Sequence, residues 1–174
     1  MNNIFFLVGN YGVGKSSIIK EPIISKKKNL LEIRKNLFVL GEDISGADSL
    51  SSQPKDKVIR GLLSNTDKNI IIAGIYYTTI KDIKLLSKYF NITLIYLETS
   101  FIENAKRIAQ RGKVINIDTY NSKVKSHISL IKNTKGMRKI FIIDNNRPLD
   151  EVKEEVYKII ENETTRISTD RTQL

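Results

Sequence analysis

The feature that most constrains this chain is a glycine-rich segment, G-x-x-x-x-G-K-S, which follows directly on the apolar run of residues 4–8. Glycine permits backbone angles and close approaches that other side chains block. Successive amide N–H groups can therefore point inward around an anionic phosphate. A buried strand, this loop and a helix starting near Lys15 together make an arrangement that binds nucleotide phosphates.

We predict that this loop and the first helical turn hold the phosphates of a nucleoside triphosphate. The motif lysine can reach the β- and γ-phosphates, and the Ser16 hydroxyl can ligate a Mg²⁺ ion that bridges phosphate oxygens. The chain has no N-K-x-D tetrad, a guanine signature, so ATP and Mg²⁺ are the predicted cofactors. A glycine-rich turn without a ligand is the weaker alternative, because four motif positions match. The predicted nucleotide-binding residues are Gly9, Asn10, Tyr11, Gly12, Val13, Gly14, Lys15, Ser16 and Ser17.

Five short apolar runs alternate with helical patterns along the chain. This alternation predicts a single three-layer α/β domain with a parallel sheet and helices on both faces. The runs are nearly continuous in hydrophobicity, as expected for strands that are buried on both faces. They cover residues 4–8, 37–40, 69–73, 93–97 and 139–143. We expect residues 1–162 to form the domain and residues 163–174 to be a polar, mobile tail.

The composition excludes several classes of site. Without cysteine there is no disulfide, thiol nucleophile or zinc–thiolate centre. The single histidine, His127, excludes a multi-histidine metal site, and its place in an amphipathic helix favours a hydrogen-bonded structural role over a catalytic one. No apolar run reaches the roughly 20 residues of a membrane span, and the first residues lack the basic segment of a secretion signal. We therefore expect a cytoplasmic protein without a membrane partner.

The net charge of +10 is concentrated in one stretch of the chain. Residues 104–140 include ten basic side chains and a single acid, Asp118. Such a block predicts either a surface that faces a polyanion or a solvated basic face, and the sequence leaves both open. The basic residues are Lys106, Arg107, Arg111, Lys113, Lys123, Lys125, Lys132, Lys135, Arg138 and Lys139.

An acidic segment follows the second predicted strand, at the sheet edge where ligands bind in parallel α/β proteins. Asp43 is the first candidate for a catalytic general base or magnesium ligand, and Asp48 is the second. Asp48 and Ser49 are also candidate ligands of the acceptor. An ordinary surface loop is the alternative, since Gly, Ser and Asp favour turns. The third strand ends in Ala73-Gly74, where a Walker B strand would carry an acid.

Arg107 and Arg111 lie four residues apart on a predicted helix and so share one face. Planar guanidinium groups suit the charge that develops on a transferring phosphoryl group, which predicts a catalytic, lid-like role for both. A solvated basic face is the alternative. Asn145 and Asn146, after the last strand, either hydrogen-bond a nucleotide base or only form a turn.

The early G-x-x-x-x-G-K-S, the acidic segment and the R-x-x-x-R helix resemble the nucleotide-kinase-like branch of P-loop kinases, over most of the chain up to about residue 160. The resemblance implies a five-stranded parallel sheet of order 2-3-1-4-5 and an ATP-dependent phosphotransferase with an alcohol acceptor. Within that branch the chain looks most like bacteriophage kinases that phosphorylate 5-hydroxymethyluracil in DNA, through residues 41–51 and the basic helix that runs to Lys135. This resemblance implies that the partner is DNA containing a modified pyrimidine and that the reaction is a step of base hypermodification. It also implies that the protein works in the cytoplasm of the host.

Two other functions stay open. A kinase for small nucleosides or nucleoside monophosphates would use the same loop and clamp a smaller acceptor. A nucleotide-gated binding module without transferase activity is the third, because the Walker B acid is missing.

Overall fold

Seven strands and the helices between them make up the described part of the chain. The computed structural model describes residues 1–43, 46–133 and 135–170, with side chains up to residue 165. The strands are β1 (Asn3–Gly9), β2 (Ser25–Lys27), β3 (Leu30–Arg34), β4 (Leu37–Leu40), β5 (Asn69–Ala73), β6 (Asn91–Glu98) and β7 (Lys139–Asp144). The helices are α1 (Lys15–Ile18), α2 (Lys55–Leu63), α3 (Ile80–Leu86), α4 (Phe101–Ala109), α5 (Ile117–Lys132) and α6 (Leu149–Asp170), with a 3₁₀ turn over Gly46–Leu50.

The strands form one sheet in the order β2-β3-β4-β5-β1-β6-β7. Strands β4, β5, β1, β6 and β7 pair in parallel, while β2, β3 and β4 pair antiparallel. The predicted five-stranded sheet of order 2-3-1-4-5 is therefore wrong, because it lacks the hairpin β2–β3. Neither strand of that hairpin was among the five predicted: β2 is Ser25-Lys26-Lys27, without an apolar residue, and the apolar residues of β3 were not assigned to a strand. The turn of this hairpin places Lys28 at φ 52°, in the left-handed region. A glycine or an asparagine at that position would have indicated a turn more clearly.

Side-chain alternation along β1 explains the three layers. Every residue of β1 is buried, and successive side chains point to opposite faces of the sheet. Ile4 and Phe6 join one core cluster, together with side chains of α2 and α3. Phe5 and Leu7 join a second cluster, which includes side chains of α1 and α6. Truncating either phenylalanine to alanine would cost about 3–5 kcal/mol of folding free energy.

Helix α6 continues beyond the predicted end of the domain. It runs from Leu149 to Asp170, so residues 163–170 are helical. Glu163 is 4% exposed and accepts a hydrogen bond from Lys139 Nζ at 2.7 Å, which ties this turn to β7. Residues 171–174 of the predicted tail lie outside the described residues, and the mobility of the tail stays a prediction.

The carboxyl ends of the five parallel strands lie at one edge of the sheet, where α/β proteins bind their ligands. Strand β1 leads into the glycine-rich loop there, and β4 leads into the acidic segment. Strands β6 and β7 lead towards α4 and α6. Among the helices described, none is both long and apolar enough to cross a bilayer.

Candidate active site

The glycine-rich loop between β1 and α1 has a conformation that only glycine tolerates at two positions. Gly12 has φ 79° and Gly14 has φ 97°, both in the left-handed region. A Cβ atom on Gly12 would lie 2.5 Å from Ile108 Cγ1, and one on Gly14 would lie 2.6 Å from Leu149 Cδ1. The loop is thus held closely between α4 and the start of α6.

Lys15 begins α1 and folds back over the loop. Its Nζ donates to the carbonyl oxygens of Gly9 at 2.9 Å and Asn10 at 2.8 Å, which uses two of its three N–H donors. Burial lowers the pKa of Lys15 to about 8, and the carboxylate of Asp48 opposes that shift. Helix α1 is only four residues long. The loop amides and the ammonium group, rather than a helix dipole, are therefore the main groups that an anion would meet.

Arg107 of α4 supports this loop from behind. Its guanidinium donates to the carbonyl oxygens of Val13 at 3.1 Å, Asn145 at 2.8 Å and Arg147 at 3.1 Å, and its Nε donates to Glu103 Oε1 at 2.8 Å. Most of its donors are therefore engaged with protein atoms. This geometry suits a positioning residue that joins the phosphate loop to the β7–α6 connection.

Two buried asparagines reinforce the same connection, and no motif in the sequence points to the first of them. Asn104, fully buried, donates to the Tyr11 carbonyl at 2.8 Å. Asn145, also fully buried, donates to the Val13 carbonyl at 3.0 Å and to Thr99 Oγ1 at 2.9 Å. The Asn145 amide nitrogen is thus committed to the loop rather than to a nucleotide base.

A cavity of about 480 Å³, here called the α4 cavity, opens between α4 and the β7–α6 connection. Its walls combine cationic side chains with Pro148 and Leu149, which suits a nucleotide whose base contacts apolar groups. Arg111 lies here, and Asn146 borders it while its Oδ1 accepts from the Ser100 amide at 2.8 Å. The lining residues are Gly12, Gly14, Glu103, Lys106, Arg107, Gln110, Arg111, Asn146, Arg147, Pro148 and Leu149.

A second cavity of about 460 Å³, here called the α5 cavity, lies on the other side of the loop. Lys113 reaches across its border and donates to the Tyr11 hydroxyl at 2.9 Å, which lowers the pKa of that phenol. The lining residues are Gly9, Tyr11, Lys15, Asp48, Gly74, Ile75, Ile108, Lys113, Val114, Ile115, Asn116, Thr119, Lys123 and His127. Lys15 is the phosphate-loop cation of this cavity, and Asp48 is its carboxylate.

The structure separates the predicted acceptor-side residues. Asp48 lines the α5 cavity, and its Oδ1 lies 3.8 Å from the point where a Cβ on Gly74 would be. It therefore approaches the end of β5, the position that a Walker B acid would occupy. Both carboxylates are exposed, and Asp43 is outside the lining of that cavity. Ser49 accepts from the Glu42 amide at 2.7 Å and donates to the Gly46 carbonyl at 2.6 Å, so its hydroxyl shapes the loop.

The donor set fits magnesium bound together with a nucleotide. Ser16 is exposed at the start of α1, and Asp48 supplies a carboxylate to the cavity that Lys15 lines. Over the described ranges, no cluster of three or more His, Cys, Asp or Glu side chains could hold a metal by itself. Mg²⁺ commonly keeps several waters and takes phosphate oxygens as ligands, so a sparse protein contribution is sufficient.

The basic block of residues 104–140 divides between the two cavities and the outer surface. Lys106, Arg107 and Arg111 line the α4 cavity, and Lys113 and Lys123 line the α5 cavity. The exposed side chains outside both linings are Lys125, Lys132, Lys135 and Arg138. Part of the charge that the sequence assigns to a possible polyanion surface therefore belongs to the two cavities.

Comparisons with known proteins agree on the fold. A gluconokinase from Sinorhizobium meliloti superimposes with a TM-score of 0.56 at 13% identity, with 97% of each chain covered. The YorR protein from Bacillus subtilis, in complex with phosphorylated GDP, superimposes with a TM-score of 0.56 at 16% identity, covering 92% of this chain and 97% of its own. No protein-family model and no curated protein sequence matches the chain. These likenesses show that the chain has the α/β fold of those two proteins.

Proposed function

We propose that this chain is an ATP-dependent kinase that transfers the γ-phosphoryl group to an alcohol of an acceptor bound in the α5 cavity. The observation that carries the proposal is the place of the glycine-rich loop between two cavities. Gly12 and Gly14 border the α4 cavity, whereas Lys15 lines the α5 cavity together with Asp48. A nucleotide base in the α4 cavity would direct its phosphates along the loop towards Lys15.

The proposed reaction is an in-line phosphoryl transfer. The acceptor oxygen forms a bond to the γ-phosphorus, the bond from that phosphorus to the β–γ bridging oxygen breaks, and ADP leaves. Asp48 takes the proton of the acceptor hydroxyl, as a general base. Lys15 and Arg111 offset the negative charge of the transferring group. The Ser16 hydroxyl would hold Mg²⁺ together with the nucleotide, and the ion would supply further charge neutralisation.

The leading acceptor is the hydroxymethyl group of 5-hydroxymethyluracil in DNA, a reaction of base hypermodification. The exposed Lys125, Lys132, Lys135 and Arg138 support it, because contacts to phosphates dominate the affinity of proteins for DNA. The target base would leave the helical stack to enter the α5 cavity, as other enzymes that modify bases require. The resemblance to bacteriophage DNA kinases supports the same acceptor.

The second candidate acceptor is a free nucleoside or nucleoside monophosphate. Two observations favour it. The volume of about 460 Å³ lies within the range of about 300–1,000 Å³ that small-molecule sites show. Lys113 and Lys123 also line the cavity, where they would clamp a small anionic acceptor.

Transfer of radiolabel from γ-labelled ATP to a panel of acceptors tests the proposal. The panel contains DNA with 5-hydroxymethyluracil, unmodified DNA, RNA ends, free nucleosides and nucleoside monophosphates. Label on the modified DNA alone supports the leading acceptor, and label only on free nucleosides or nucleotides rejects it in favour of the second. A salt titration separates them again, since activity on DNA should fall steeply with salt and activity on a small acceptor much less.

ATP binding without transfer to any acceptor would overturn the kinase proposal in favour of a nucleotide-gated binding module. Calorimetry with ATP and Mg²⁺ makes this outcome visible separately from the transfer assay. Absence of binding, with no change on replacing Lys15 by alanine, would overturn the nucleotide site itself.

A further inference from the structure

The only histidine of the chain is buried beside the α5 cavity without a hydrogen-bond partner for its Nδ1 atom. His127 is 1% exposed, and no described residue bonds that nitrogen. Its ring packs against Tyr96 with centroids 5.4 Å apart, and it lines the cavity. The structural role expected from the sequence supposed a hydrogen-bonded imidazole, and the structure corrects that point. Leaving a buried polar nitrogen unpaired costs roughly 1–3 kcal/mol.

Helix α5 presents a polar face to this cavity. Asn116 caps the helix, and Thr119, Lys123 and His127 follow at intervals of three and four residues, which places them on one side. Among the described residues of α5, His127 alone is buried. A purely apolar ring or aliphatic side chain at this position would pack without leaving a buried nitrogen unpaired.

The imidazole is electrically neutral at physiological pH. Burial, followed by the positive charges of Lys15 and Lys123, lowers the pKa of His127 to about 4. A neutral imidazole offers one N–H donor and one nitrogen acceptor. The cavity adds aliphatic side chains, Ile75 and Ile115, which suit the faces of a flat ring.

We propose that His127 determines acceptor specificity by hydrogen bonding to the polar edge of a planar heterocycle, of the nucleobase class, in the α5 cavity. The inference rests on the proposed function, because it names the class of molecule that the acceptor side of the kinase takes. The two nitrogens of an imidazole point in different directions, so one of them bonds the base edge, either accepting from a ring N–H or donating to a carbonyl oxygen of a pyrimidine. A base presented by DNA and a free nucleoside share this chemistry.

Nuclear magnetic resonance provides a direct test, because one histidine gives one imidazole signal set. Long-range ¹H–¹⁵N spectra of the tag-free full chain are recorded with a non-hydrolysable ATP analogue, before and after adding 5-hydroxymethyl-2′-deoxyuridine. We expect the imidazole nitrogens to shift with the nucleoside and to stay unchanged with 2-deoxyribose, which lacks the ring. Equal responses to the two additions, or no response to either at saturating nucleoside, would overturn the inference.

Substitution of the same residue separates recognition from packing. Replacing His127 by phenylalanine keeps an aromatic ring against Tyr96 but removes both hydrogen-bonding groups. We expect the acceptor KM to rise about tenfold, with kcat and the KM for ATP within about twofold of the parent. His127→Gln restores a donor and an acceptor and should recover part of the loss. The matched control is Ser126→Ala, whose exposed hydroxyl bonds only the Ser122 carbonyl in the same helix.

A lowered melting temperature with an unchanged acceptor KM in His127→Phe would show a packing role and reject the proposal. When no turnover is detected with any acceptor, the same variants are compared through the dissociation constant of the nucleoside, measured by titration. Nucleoside binding that depends on His127 without phosphoryl transfer would defeat the kinase proposal while supporting this one. Phosphoryl transfer with an acceptor KM that does not depend on His127 would support the kinase proposal and reject the role of His127.

Discussion

The two cavities on either side of the phosphate loop have different polar surroundings. Beside the α4 cavity, Arg107 donates to Val13, Asn145 and Arg147, and Asn145 donates to Val13, while the buried Asn145 Oδ1 has no partner among the described residues. At the α5 cavity the His127 ring has an enclosed nitrogen for which no described residue provides a partner.

This difference indicates that side chains of α4 and of the β7–α6 connection hold the phosphate loop in place before a ligand binds. Because Arg107 and Asn145 hold the backbone of the phosphate loop in place, its amides need little rearrangement to bind a triphosphate. An imidazole without a protein partner can bond a ligand group of matching polarity, so the α5 side suits discrimination among acceptors. Single substitutions on the two sides should therefore have different effects.

The largest effect is expected for Lys15→Ala, since Lys15 lines the α5 cavity and belongs to the loop between the two. Loss of a preorganised charge at the transferring group should lower kcat at least about 10²–10³-fold and weaken ATP binding as well. Stopped-time transfer assays and calorimetry measure the two effects. Lys88→Ala, at an exposed position after α3, is the control and should match the parent. Retained transfer in Lys15→Ala would refute the assignment of the loop.

Asp48→Asn should act next most strongly and only on the acceptor side. Removing a general base typically costs about 10²–10⁴-fold in rate, whereas ATP affinity should change little, because Asp48 lines the α5 cavity. Asp43→Asn is the matched comparison, with a smaller effect expected because that residue is outside the cavity lining. Full activity in Asp48→Asn combined with loss in Asp43→Asn would reverse the assignment of the base.

Arg107→Ala tests the preassembled side. It leaves the carbonyl oxygens of Val13, Asn145 and Arg147 without this donor, so we expect a loss of about 1–3 kcal/mol in folding free energy and a raised KM for ATP. Denaturant unfolding and initial rates measure these changes. Lys106→Ala, on the same helix with a 66% exposed side chain, should change the stability far less. Unchanged stability with a large fall in kcat would instead favour direct contact of Arg107 with the phosphoryl group.

The smallest expected effect is the uptake of a fraction of a proton for each ATP bound. The pKa of Lys15 is lowered to about 8 by burial, so near pH 8.5 much of the nucleotide-free protein holds a neutral amine. Phosphates favour the ammonium form and raise that pKa. ATP binding at about pH 8.5 should therefore take up protons, and binding at about pH 6.5 should take up almost none through Lys15. Calorimetry in buffers of different ionisation enthalpy measures the uptake, which should disappear in Lys15→Arg, because arginine stays charged.

The sequence could predict the parts of the fold that rest on strong local patterns. Continuous apolar runs and the glycine-rich loop identified the parallel strands and the phosphate-loop geometry around Gly12 and Gly14. Strand β2 was missed because its polar residues pair with β3, a neighbour that hydrophobic pattern alone does not reveal.

Long-range geometry explains the remaining gaps at the site. Arg107 and its three carbonyl partners are 38 to 94 residues apart along the chain, so no spacing pattern connects them. The relative placement of Asp43 and Asp48 depends on the 3₁₀ turn after Gly46, which a run of Gly, Ser and Asp does not specify. The absence of a described partner for His127 Nδ1 can be recognised only in the three-dimensional structure, because the residues around the cavity come from distant parts of the chain.

The added hairpin also decides how the sheet ends. Without it, β4 and its four buried residues would present unpaired backbone groups to any neighbouring chain. With it, the border is a three-residue strand, Ser25-Lys26-Lys27, all exposed and bearing two positive charges. Short, lysine-rich border strands repel the strand-to-strand association of one molecule with another. The same lysines that make β2 too polar to be predicted as a strand thus oppose the pairing of this edge with another molecule.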